Sequence, residues 1–186
     1  MFARINTDPY DLEPMEIRRG QYEGEFLTFI EECAKDDLFK KLCPVSKAKL
    51  EHRESEELVL RFFAYTENYQ NFIHSVEDFL DEYLIDKHTN MFDKDVLQLK
   101  FENMLAFVES NFEFGFRKTK KANSTPRGRF EAIAVGIALA QKTGQVLNTN
   151  IQSWINSQEF KDKTTSDAAN NKSKLTERIE IGRAHV

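Results

Sequence analysis

Six cations fall within thirteen residues at 117–129: Arg117, Lys118, Lys120, Lys121, Arg127 and Arg129, with no acid among them. The whole chain carries −5, so the remainder carries −11. A basic loop on an acidic body has the charge to contact a nucleic-acid backbone, because each Lys or Arg that meets a phosphate displaces a condensed counterion. The other reading is a solvated surface loop with no ligand, since blocks of like charge commonly do no more than face water. Phe114 and Phe116 sit beside the run. Their rings would either stack on unpaired bases or close a helix end against the core. Arg61 is a second candidate, embedded in the apolar stretch 58–65. A guanidinium there needs a partner, because an unpaired buried charge is costly. Glu57 lies one helical turn earlier on the same face. Glu16 with Arg18 and Arg19 poses the same choice between a structural ion pair and a ligand site.

Other reactive residue types are sparse. Cys33 and Cys43 form no CxxC pair, so they read as reduced thiols rather than a zinc or disulfide framework. His52, His74, His88 and His185 form neither HxH nor HExxH, and no metal site is expected. No Ser-His-Asp or Cys-His spacing occurs, and no acid pair stands out from the 31 carboxylates. Catalytic residues are therefore unassigned. The N-terminus has no apolar signal core. The longest strongly apolar uncharged stretch, 132–141, is half the ~20 residues that a membrane helix needs. A cytoplasmic protein with no membrane segment is expected.

The elements that must carry these residues are helices. Seven glycines and four prolines in 186 residues are about half the usual ~12%. That disfavours an all-β chain and a glycine-rich nucleotide loop. Pro14 suits a first helical turn, and Gly24 breaks that helix from the next, whose face is Phe26, Leu27, Phe29, Ile30 and Cys33. Residues 38–42 form a short helix before Pro44, and 45–53 read as a charged loop. Ser55, followed by Glu56 and Glu57, marks another helix start. Tyr69, Phe72, Ile73, Val76, Phe79, Leu80, Tyr83 and Leu84 repeat at helical spacing and predict one amphipathic helix over 69–84. Leu97, Phe101, Met104, Leu105, Val108 and Phe112 repeat the pattern. Alanine-rich 130–141 predicts a buried helix that lets neighbours come close. Further helices are expected at 151–160 and 172–181, with 161–171 a polar loop. The fold class is mainly α, an array of about seven helices after a short non-helical leader at 1–11.

Several segments resemble the ParB-like N-terminal domain of GmrSD-type restriction endonucleases. They are Phe2-Ala-Arg-Ile-Asn-Thr7, Leu12 with Glu16-Ile-Arg18, Gly24 with Phe26, residues 56–63, residues 129–136, and the 164–171 region. They occur in the family's order over nearly the whole chain. The resemblance implies an α/β ParB-like core followed by a helical region, in proteins that cleave DNA, often modified phage DNA, with a nucleotide. It implies a nucleotide site marked by Asp-Gly-Gln-Gln-Arg and by Phe-x-x-x-Asn, the latter matching Phe2 and Asn6. Arg4 between them would add a bidentate fork for phosphate. The sequence holds no Asp-Gly-Gln-Gln-Arg, and Asp8-Pro9 stands where many members carry Gly-Gly.

Three segments are therefore expected: 1–24 as the exit of a ParB-like core that is otherwise missing, 25–180 as the helical domain, and 181–186 as an appended tail. The tail, Ile-Gly-Arg-Ala-His-Val, is what a common sequencing adapter encodes in one frame, which would leave Arg183 and His185 without a role. The resulting expectation is the helical portion of a GmrSD-like, nucleotide-dependent DNA restriction protein of phage defence, catalytically incomplete as given. Phe2, Arg4 and Asn6 would serve a nucleotide, and Arg117, Lys118, Lys120, Lys121, Arg127 and Arg129 would serve DNA. This portion would need no cofactor, whereas the intact protein would use a nucleoside triphosphate and a divalent metal. The alternative is a non-enzymatic helical module that binds DNA or a protein. A piece that lacks its core would leave the Phe26, Phe29 and Ile30 face open.

Overall fold

Ten α-helices and no strand make up the computed structural model, which describes residues 12–144, 146–165 and 171–186. Phe2, Arg4 and Asn6, the expected nucleotide-site residues, lie outside the described residues, as do 166–170 of the expected polar loop. In chain order the helices are α1 (Pro14–Gln21), α2 (Glu25–Lys35), α3 (Asp37–Leu42), α4 (Lys47–Glu51) and α5 (Glu54–Asn68). They continue as α6 (Val76–Thr89), α7 (Lys94–Asn111), α8 (Arg127–Lys142), α9 (Gln158–Thr165) and α10 (Lys172–His185). The all-α expectation holds. The count exceeds seven partly because 45–53, read as loop, forms the short α4.

Local chemistry accounts for most boundaries. Pro14 occupies the first turn of α1, where its missing N–H costs no hydrogen bond. Asp36, Asp93 and Asn171 accept hydrogen bonds from the Phe39, Val96 and Lys174 N–H groups and cap α3, α7 and α10. Ser55 does not cap α5. The helix begins at Glu54 behind Arg53, which takes the left-handed conformation at φ 58°.

The single helix expected over 69–84 is divided. Tyr69–Asn71 forms a 3₁₀ turn, residues 72–75 leave the helix, and α6 starts at Val76. Ser75 Oγ accepts a hydrogen bond from the Asp78 N–H at 3.2 Å, with Glu77 and Asp78 in the first turn. This capping chemistry starts a new helix inside an otherwise continuous apolar period. Ile73, which the period assigns to the buried face, is 72% exposed.

The core is aromatic. Phe101 meets Phe39, Phe62 and Phe63 with ring centroids 5.5, 5.6 and 5.9 Å apart. The Phe26, Phe29 and Ile30 face is not open. Phe26 packs edge-on to Tyr83 and Phe92, Phe29 meets Phe63, and Ile30 is fully buried. Cys33 and Cys43 are buried free thiols, and burial pushes both up to about 12.

Helix α8 runs through the middle, with every residue from Arg129 to Ala138 buried. Helix α10 crosses it at backbone contact. A Cβ on Gly182 would fall inside the Ala132 carbonyl, and one on Gly136 would lie 2.6 Å from the Arg183 nitrogen. Residues 181–185 of the expected appended tail thus lie in α10, packed against α8. His185 stacks on Trp154 at 5.2 Å, and Ile181 is buried. Among the described residues, no helix is long and apolar enough to cross a membrane.

Candidate functional site

The basic connection between α7 and α8 is pinned to the end of α3 and the chain just after it. The Phe116 N–H donates to the Leu42 carbonyl at 2.9 Å, and the Thr125 N–H donates to the Pro44 carbonyl at 2.9 Å. Gly115 makes the first contact possible. It sits at φ 58°, and any Cβ there would meet the Leu42 carbonyl oxygen at 2.5 Å. Phe116 is fully buried against Phe130, ring centroids 4.9 Å apart, so its ring is not available to a base. Phe114 is half-buried.

This frame sends the six cations in different directions. Lys118, Lys120 and Lys121 are exposed, and none pairs with a carboxylate among the described residues. Arg117 folds over its own turn, donating to the Phe114 carbonyl at 3.1 Å and the Lys120 carbonyl at 3.2 Å. Arg127 is engaged elsewhere: its guanidinium grips the Glu54 carboxylate, with Nε donating at 2.7 Å. Arg129, in the first turn of α8, is 7% exposed. The stretch therefore presents five cations to solvent or its edge rather than six, and four of them are free of a carboxylate, because the start of α8 ties exposed Arg127 to Glu54 and turns Arg129 into the core. Thr164, at the start of the 164–171 region, is buried, and its hydroxyl donates to the Phe160 carbonyl.

The strongest electrostatic feature is a line of alternating charge through five helices. Asp81 on α6 accepts from Arg18 on α1 at 2.6 Å, and Arg18 donates to Glu57 on α5 at 2.8 Å. Glu57 accepts from Arg61 at 2.8 Å, one turn along α5. Arg61 donates to Glu131 on α8 at 2.8 Å, and Glu131 accepts from Arg178 on α10 at 2.6 Å. Only Asp81 is appreciably exposed. Burial by itself would raise the Glu57 carboxyl, but Arg61 and Arg18 outweigh it and hold the group below its ordinary value. The expected Glu57–Arg61 pair is thus present, inside a longer system. Arg18 and Arg19 do not pair with Glu16. Arg19 turns to Glu31 on α2 at 2.7 Å, and Glu16 meets His52 at 2.9 Å. The hydrogen bond from His52 holds Glu16 below its usual value and, reciprocally, raises the imidazole.

The middle of this line, Glu57 and Arg61, borders a cleft of about 270 Å³ lined also by His52, Glu77 and Arg127, among others. The charged groups on its walls largely neutralise one another, so it lacks the single-sign field that would draw in an ion. The chain matches no family model, curated protein or solved structure. Among the described residues, no three His, Cys, Asp or Glu side chains are grouped to hold a metal ion. What the described surface can do chemically is present unpaired cations at 117–121, above one buried guanidinium that has no anion.

Proposed function

We propose that this chain is the helical, DNA-contacting portion of a GmrSD-like, nucleotide-dependent restriction protein. The ordered resemblance of 2–7, 12–18, 56–63, 129–136 and 164–171 to that family supports the identity. The observation that carries the DNA contact is that Lys118, Lys120 and Lys121 are exposed and free of carboxylate partners on a chain of net charge −5. Cations held on a pinned turn, and not neutralised by their own protein, suit a sequence-independent grip on phosphate. Arg117 contributes from the same turn, whereas Arg127, held by Glu54, plays a structural part. The nucleotide is assigned to Phe2, Arg4 and Asn6, and no catalytic role is assigned to the helices.

The experiment is a salt titration of binding to a DNA duplex by the full chain and by the triple variant Lys118→Ala/Lys120→Ala/Lys121→Ala. The expected result is a fall of about 3 in the slope of log affinity against log salt, about one for each lost phosphate contact. An unchanged slope would overturn the reading. Adding nucleotide to the same titration tests the family assignment. Salt-dependent binding indifferent to nucleotide would instead identify a non-enzymatic DNA-binding module.

A further inference from the structure

Four arginines are buried among the described residues, and they divide three to one. Arg18, Arg61 and Arg178 each meet a carboxylate within 2.8 Å. Arg129 meets none. Its Nε donor has no partner, and its hydrogen bond from Nη1 to the Ile155 carbonyl is long at 3.4 Å. The Phe160 ring lies 5.5 Å from the guanidinium carbon and offers only a cation–π contact. Burial without an anion brings the Arg129 pKa down to about 10. Arg129 also sits in the first turn of α8, where the helix dipole is already positive. A chain that neutralises three buried guanidinium groups so completely leaves the fourth for something outside itself.

Arg129 lines a crevice between the 112–118 turn and the 151–156 turn. Arg117 and Lys118 line the same crevice, with Gln152, Asn156 and a single acidic residue, Glu113. Three cations against one acid make it electropositive on an acidic protein. Its volume is about 30 Å³, close to the share of one water molecule in the liquid. It admits a single oxygen of a larger group and leaves the rest at the rim.

We propose that this crevice binds one oxygen of a phosphate group, with Arg129 as its floor and Arg117 and Lys118 at its rim, and that a DNA backbone supplies the phosphate. The choice of DNA rests on the function proposed above; the site itself does not. Arg127 takes no part, being held by Glu54.

Two titrations of the full chain test the site and its ligand separately. In the first, inorganic phosphate is added at constant ionic strength against sodium chloride, and the melting temperature is read. Phosphate is expected to raise it beyond chloride, and Arg129→Met to abolish that increment. In chloride alone Arg129→Met should melt no lower than the parent, because a buried unpaired charge has been removed. In the second, a labelled DNA duplex is titrated at several salt concentrations. Arg129→Met is expected to weaken binding about 10-fold and to lower the salt slope by about one. Lys118→Glu, on an exposed side chain, should lower both affinities without touching the fold, and it decides the matter if Arg129→Met does not fold. Equal effects of phosphate and chloride on the parent chain would overturn the site. Phosphate bound through Arg129 with no DNA binding would uphold the site and overturn the DNA reading. DNA binding unchanged by both variants would uphold the DNA reading and overturn the site.

Discussion

Replacing Glu131 by Gln removes one negative charge from the middle of the buried line while keeping the side chain's shape. Glu131 is 1% exposed, and its two oxygens accept from Arg61 at 2.8 Å and Arg178 at 2.6 Å. A glutamine can accept from only one of them, and its NH₂ group would then face the N–H groups of the other. Removing one partner of a buried ion pair costs about 3–5 kcal/mol, because the remaining charge is left uncompensated. That is a fifth or more of the ~5–15 kcal/mol by which domains are typically stable. With a urea m-value of about 3 kcal/mol/M for a chain of this size, the unfolding midpoint should fall by about 1–1.7 M. The melting temperature should fall by about 6–20 °C. The same change in an Arg178→Met background should cost less, by a coupling energy of about 0.5–3 kcal/mol, since one dependent cation is already gone. A midpoint shift below about 0.3 M, or strict additivity of the two changes, would refute the reasoning that Glu131 neutralises both arginines.

Three further outcomes are expected. Glu57 has its carboxyl held below the ordinary 4.5, so it stabilises the fold above that pH and loses the contribution as pH falls through its folded value. Urea midpoints should decline below about pH 4.5 and decline less in Glu57→Gln, whereas midpoints level from pH 7 to 3 would count against this. His52 is raised above 6.5 by its hydrogen bond to Glu16, so its NMR titration midpoint should lie above 6.5 and return toward it in Glu16→Gln; an unmoved midpoint would dismiss the contact. Gly182→Ala in a helix interior would ordinarily stabilise by ~1 kcal/mol. Here the added Cβ would fall inside the Ala132 carbonyl, so a loss of about 2–3 kcal/mol is expected, and a gain would mean that α10 does not cross α8 this closely.

How much of this was legible in the sequence depended on range. Interactions within one helical turn could be read. Pro14 at the start of α1, the alanine-rich buried α8 and the Glu57–Arg61 pair all follow from spacing within a few residues. The break at 72–75 is also local in cause, since Ser75 caps α6, but the apolar period runs straight through it and by itself predicts one helix. The remaining partners of the charge line were not legible. Arg18, Glu131 and Arg178 lie on three different helices, and nothing in their spacing says which carboxylate each will meet.

Composition and periodicity by themselves determined that the chain is helical, which faces are apolar, and where its positive charge is concentrated. These are additive properties of short windows, fixed by backbone propensity and by the cost of exposing apolar surface. Only the tertiary structure decided what each cation does. At 117–129 the sequence shows six equivalent charges, whereas the fold leaves the three lysines in water, ties Arg127 to Glu54 and buries Arg129 beside Phe160. The physical reason is that a charge's energy depends on its dielectric surroundings and on the distance to its counter-charge. Both are set by which helices meet, and neither is written in the order of residues along one of them.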